Sequence, residues 1–278
     1  MIRVVTDTTS SFTLEDYARY GITGVPLYVR EGDQAVRELF DLSYDDFYRR
    51  QRGGSRFATA QPEPAAFMEV FRGALKAGDE VVCVLLSSRI SGTVNSARLA
   101  TQLLETDRVS VCDSAMSGFG QGMLARKAVE LAAAGASRAE IVQALEDQKT
   151  RTRTYFMVES LKYLYEGGRL SGAAALIGSL IQLKPIIWFD AEGSMGALEK
   201  VRTLKAAKAR LLELCKERAE LGVERAALHY GDNLEEAREF AAEMEALLGV
   251  EVPLVQLSPV LGSHTGPDIL GPCIVTAR

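Results

Sequence analysis

Short β-branched apolar runs that alternate with helical periodicity constrain this chain more than any other feature. IRVVT (residues 2–6), VPLYV (25–29), VVCVLL (81–86) and RVSVC (108–112) are each followed by an amphipathic stretch. That alternation is the pattern of βα units around a largely parallel sheet, so the first half reads as an α/β layer structure with flanking helices. Thr13 with Asp16 forms a capping-box signal before DYARY, and Ser43 starts a helix at YDDFYRRQ. RGGSRFATAQPEP reads as a loop, as does the segment carrying Gly118, Gly120 and Gly122. From TYFMV (154–158) onward the pattern changes. Helices at SLKYLYEGG and SGAAALIGSLIQ precede a hairpin, KPIIWFD and MGALEKVR joined by the turn AEGS. Helices from Thr203 and Leu234 then alternate with strands at RAALHY, VPLVQL and PCIVTA, which predicts a mixed sheet. At 278 residues the chain exceeds the usual single-domain size. Two α/β domains, 1–150 and 151–278, are expected.

Charge and motifs narrow the function classes. A formal net charge of −5 lacks the dense basic footprint of a general nucleic-acid binder, so no nucleic acid is expected as a partner. No apolar run approaches the ~20 residues of a membrane span, and MIRVVTDTTSSF lacks the zones of a signal peptide, so a cytoplasmic location is expected. The four cysteines are far apart without metal-like spacing and read as buried thiols. GxxxxGK[ST], HExxH and GxSxG do not occur, and GFGQGM places Met123 where a dinucleotide fingerprint needs glycine or alanine. No cofactor, metal or catalytic residue is expected.

Several polar clusters remain. In LLSSRISGTVNSAR a strand ends in Ser87 and Ser88, and Ser91, Gly92 and Thr93 open a helix. Unpaired backbone N–H groups and hydroxyls at a helix start suit a carboxylate or phosphate, although Ser91 or Thr93 could equally serve only as a cap. Thr59 and Gln61 precede a helix whose first turn holds Pro62 or Pro64. Gly167 and Gly168 end a helix before Arg169, whose guanidinium either points into a cleft or lies on the surface. Of the two histidines, His264 stands among glycines in a loop with its ring free to be directed, whereas His229 ends an apolar strand and packs or hydrogen-bonds there. The helix SGAAALIGSLIQ is apolar nearly all round, hence buried, and its small residues leave room for a neighbouring backbone or an inserted apolar chain.

Six segments in order resemble the DegV family of bacterial fatty-acid-binding proteins: TDTTSSF, TAQP (59–62), SSRISGTVNSA (87–97), DSAMSGFGQG, LKYLYEGGRLSGAAALIGSLIQLKPII and LGSHTGPDILG. The resemblance spans nearly the whole chain. It implies a two-domain fold with one long-chain fatty acid in a deep apolar pocket to which the C-terminal domain contributes. It also implies service as the acyl-binding subunit of a bacterial fatty acid kinase, whose separate catalytic protein phosphorylates the bound carboxylate for phospholipid synthesis. Carried over by position, Thr59, Ser91, Gly92 and His264 become the carboxylate-binding set, with Gln61, Thr93 and Arg169 as associated polar residues. Ala174, Ile177, Gly178 and Ile181 become part of the pocket lining. Ala60 stands where the family commonly has serine, Gln182 where it has asparagine, and Asp268 where glycine usually follows HTGP. A carboxylate beside His264 is expected either to raise its pKa or to repel a bound acid. Two rival readings stand beside this one: a binder of another amphipathic or phosphorylated metabolite, and a hydrolase with a serine nucleophile and His264 as base.

Overall fold

The protein is described by a computed structural model over residues 1–169 and 184–277. The predicted helix at SGAAALIGSLIQ, and with it Ala174, Ile177, Gly178 and Ile181, lies outside the described residues. In chain order the first half runs β1 (Ile2–Asp7), α1 (Leu14–Tyr20), β2 (Thr23–Val25), β3 (Tyr28–Glu31), β4 (Gln34–Arg37), α2 (Tyr44–Arg52) and β5 (Ala58–Ala60). It continues through α3 (Pro64–Lys76), β6 (Glu80–Leu85), α4 (Thr93–Leu103), β7 (Val109–Asp113), α5 (Phe119–Ala133) and α6 (Arg138–Arg151). The second half runs β8 (Thr152–Val158), α7 (Lys162–Glu166), β9 (Ile186–Phe189), β10 (Met195–Glu199) and α8 (Leu204–Ala219). It closes with β11 (Val223–Tyr230), α9 (Leu234–Leu248), β12 (Leu254–Gln256), α10 (Pro259–Thr265) and β13 (Ile269–Thr276).

Three sheets result among the described residues. A four-stranded sheet in the order β2-β1-β6-β7 is parallel at every pairing. Along β6 the side chains alternate: Val82 and Val84 pack with α1, α5 and α6, and Val81, Cys83 and Leu85 with α3 and α4. Helices thus cover both faces, as a buried parallel sheet requires. The six-stranded sheet, β10-β9-β8-β13-β11-β12, is antiparallel except for β11 with β12. Its alternation is what creates a site. Tyr155, Met157, Ile186 and Leu270 pack under α8 and α9, while Phe156, Val158, Ile187, Phe189 and Ile269 face the first half. The mixed sheet and the α/β layering agree with the expected fold class.

The third sheet, β4-β3-β5, departs from the expected pattern. Pro26 interrupts VPLYV, so the predicted single strand divides: β2 joins the parallel sheet, whereas β3 pairs antiparallel with β4 and β5. β5 lies in the stretch read as a loop, where two glycines and two prolines mask three extended residues. A second correction concerns Gly120 and Gly122, which lie on the buried face of α5 and not in a loop. That helix starts early because Gly118 takes φ +67° and the next N–H, of Phe119, is capped by the His229 ring.

Candidate functional site

The parallel strands β1, β6 and β7 all end toward the six-stranded sheet, and the loops after β6 and β7 supply Leu86, Ile90, Ser91, Ser117 and Gly118 to a cavity of about 340 Å³. A crevice at the carboxyl ends of the strands is where open α/β sheets characteristically bind ligands. Phe156, Phe189 and Ile269 from the six-stranded sheet and Leu27, Val260 and Leu261 complete most of its apolar wall. The volume falls at the low end of the ~300–1,000 Å³ typical of small-molecule pockets.

One corner of this cavity is polar. Thr59, on β5, and His264, on α10, meet there with Oγ1 and Nε2 2.9 Å apart. His264 is not in a loop: Ser258 caps the helix and Pro259 occupies its first turn, so the ring is held by a short helix and mostly buried. Burial, with the Arg169 charge adding to it, lowers the imidazole from its ordinary value to about 4. Its Nδ1 is buried without a hydrogen-bond partner among the described residues. Ser91 Oγ lies 2.9 Å from Thr93 Oγ1 and accepts from the Thr93 N–H at 3.3 Å. The serine therefore serves the start of α4, as a cap would, while still lining the cavity. Gly92 is the N-cap, and a Cβ there would fall 2.2 Å from Gln61 Oε1; this close approach lets Gln61 reach Ser96 Oγ at 3.1 Å. Thr93 is fully buried. Arg169 donates to the carbonyls of Ile90 and Gly167.

Of the residues singled out from sequence, Thr59, Gln61, Ser91, Arg169 and His264 thus share one cavity, and Gly92 and Thr93 support it from the start of α4. Thr59, Arg169 and His264 also line an adjoining polar cleft of about 390 Å³, with Ser55, Arg56, Tyr163 and Glu166. Arg56 stacks 5.5 Å over the Tyr163 ring and lies 3.5 Å from Glu166. The Thr59–His264 pair is a partition between an apolar chamber and a charged one.

Asp268 does not act on His264. Its carboxylate is paired with Arg52, at 2.7 Å, and Arg52 also holds Asp232. Sequence reasoning missed several lining residues, among them Leu27, Ser117, Thr154 and Leu257. His229, expected to pack or hydrogen-bond at the end of its strand, does hydrogen-bond, and it also borders the cavity. Its Nε2 accepts from Phe119 N–H at 2.7 Å, which requires the proton on Nδ1, and that nitrogen donates to the Gly271 carbonyl at 2.9 Å. Burial keeps this ring neutral by lowering it to about 4. Among the described residues no cluster of three or more His, Cys, Asp or Glu could hold a metal, and no helix is long and apolar enough to cross a membrane.

Fold and site together define an α/β protein with a largely apolar cavity between two sheet systems, ending in a hydroxyl–imidazole corner. The chain belongs to the DegV family: that family's model, described as an uncharacterised protein, matches residues 1–277. It is 37% identical over 276 residues to the protein DegV of Bacillus subtilis, spanning 98% of each chain. The crystal structure of B. subtilis DegV, described as a fatty acid binding protein, superposes with a TM-score of 0.91 at 36% identity over 99% of both chains. A DegV family protein from Thermus thermophilus, described by its fatty acid binding, gives 0.91 at 32% identity over 99% of both. A stearic acid-binding protein from Eubacterium ventriosum gives 0.90 at 26%, covering 99% of this chain and 98% of that one.

Proposed function

We propose that this protein binds one long-chain fatty acid in the apolar cavity and presents its carboxylate, held by Thr59, Ser91, Gly92 and His264, to a separate ATP-dependent fatty acid kinase in the cytoplasm. Gln61, Thr93 and Arg169 support that set. In this reading residues 1–150 and 151–278 act as two domains, the second contributing the acyl-chain pocket and the carboxylate lying near the cleft between them. The observation that carries the reading is the partition: the Thr59–His264 pair lines both the apolar chamber and the polar cleft. A carboxylate placed there has its tail in one and its reacting oxygens toward the other. Burying an alkyl chain contributes ~0.8 kcal/mol per methylene, so about 16 carbons gain on the order of 12 kcal/mol before association costs. The carboxylate adds less, because it gives up strong hydration, but neutral donors fix its position. The fatty-acid-binding descriptions of the relatives support the ligand class.

Against the hydrolase reading, His264 Nε2 is engaged by a threonine and its Nδ1 has no hydrogen-bond partner, so among the described residues no serine hydroxyl pairs with the proposed base. The test is a double substitution, Thr59→Ala with Ser91→Ala, assayed with the partner kinase and ATP. Phosphorylation is expected to fall more than acyl binding; an unchanged phosphorylation rate contradicts the assignment. ATP turnover by the isolated protein contradicts the role as acceptor alone.

A further inference from the structure

Glu38 follows directly on β4, is fully buried, and has no part in the carboxylate corner. Its Oε1 accepts from Thr8 Oγ1 at 2.6 Å and its Oε2 from the Val260 N–H at 2.8 Å. Thr8 Oγ1 in turn accepts from the Leu27 N–H at 2.9 Å, and the preceding residue, Asp7, accepts from the Leu86 N–H at 2.9 Å. Leu27, Leu86 and Val260 all line the cavity, yet they come from three separate segments. Two adjacent residues at the end of β1 thereby hold wall backbone: Asp7 that of Leu86, and Thr8 together with Glu38 that of Leu27 and Val260. Val260 also lies in the first turn of α10, which carries His264 at its other end. Two further bonds anchor this region to α2: Tyr48 Oη donates to the Leu257 carbonyl at 3.0 Å and Gln51 Nε2 to that of Gly262 at 2.9 Å.

We propose that Glu38 is a positioning residue for ligand retention: through Thr8 and Val260 it fixes the cavity wall and the register of α10, and so holds His264 against Thr59. This rests on the fatty-acid reading for the identity of the ligand. The groups that act electrostatically on or with Glu38 are Asp7, Tyr17, Tyr44 and Tyr48, with Ser258 and Thr8 as hydrogen-bond donors; none of these is a cation. Burial is the main reason the Glu38 carboxyl is pushed up to about 7. The closed wall therefore keeps its proton to higher pH than an opened, hydrated glutamate would. Opening is favoured progressively as pH rises from the ordinary value of 4.5 to about 7, and the dependence levels off above 7, where both states are ionised.

The experiment measures palmitate release and amide exchange at Leu27 and Val260 at pH 5, 6, 7 and 8, in wild type, Glu38→Gln and Glu38→Ala. Wild-type release is expected to quicken between pH 5 and 7, by up to about tenfold per pH unit, the limit for one linked proton, and to change little between pH 7 and 8. Glu38→Gln, which retains an acceptor but cannot ionise, is expected to lose that dependence. Glu38→Ala is expected to release quickly at every pH and to exchange faster at both amides. A glutamine variant with the wild-type pH profile, or an alanine variant with wild-type exchange at Val260, overturns the proposal. Failure of wild type to take up palmitate defeats the ligand reading, and the exchange data still decide the role of Glu38. Should the alanine variant not fold, the glutamine pH profile decides it.

Discussion

At the residue scale the central group is His264. Its lowered pKa means that the folded protein binds a proton less readily than the unfolded chain does. The stability it contributes is full above the ordinary value of 6.5 and is lost as pH falls through about 4. In the ligand-free protein the ring is expected to stay neutral down to about pH 5, and a bound carboxylate, being an opposite charge, to raise its midpoint. Imidazole NMR titration with and without palmitate checks both; a ligand-free midpoint near 6.5 contradicts the buried geometry. Asp268→Asn is expected to leave that midpoint unchanged, because the carboxylate it removes faces Arg52. Sequence marked His264 by its glycine and proline neighbours, which look like a loop. Ser258 and Pro259 are a local helix start, but what holds α10 in place is visible only in three dimensions: Gly262 lets it lie against Phe47 and Tyr48 on α2, far away in the chain. Glu38 had no local signal at all, since a single glutamate in RELFDL looks like surface until its partners are known.

At the scale of elements, caps and periodicity were legible and pairings of short strands were not. The Thr13–Asp16 capping box, the Ser43 cap, Thr203 before α8 and the β9–β10 hairpin all stand where their residue types place them. β5, which carries Thr59, is only three residues long and exists because β3 supplies its hydrogen bonds. No local pattern encodes that. The start of α5 depends on a similar distant contact. Gly118 combines positive φ with a space in which a Cβ would lie 2.7 Å from His229 Nε2. Gly118→Ala is expected to strain the backbone and displace the ring that caps Phe119, costing about 1–3 kcal/mol. Thermal melting would register this as a Tm lowered by several degrees; an unchanged Tm would show that the cap is dispensable.

At the scale of the whole molecule, the βα alternation and the later mixed pattern foretold the two large sheets. The cavity between them was legible only through family resemblance. Its wall draws single residues from strand ends, loops and α10, and each of these runs reads in isolation as ordinary core. The polar corner was easier to find because hydroxyls, glycines and a histidine cluster in short motifs, whereas apolar lining carries no such mark. Mass spectrometry of the organic extract from purified, denatured protein, calibrated against protein concentration, tests the central claim most directly. A near-stoichiometric long-chain fatty acid is expected. A blank extract, together with no uptake of added palmitate or oleate, would contradict the account.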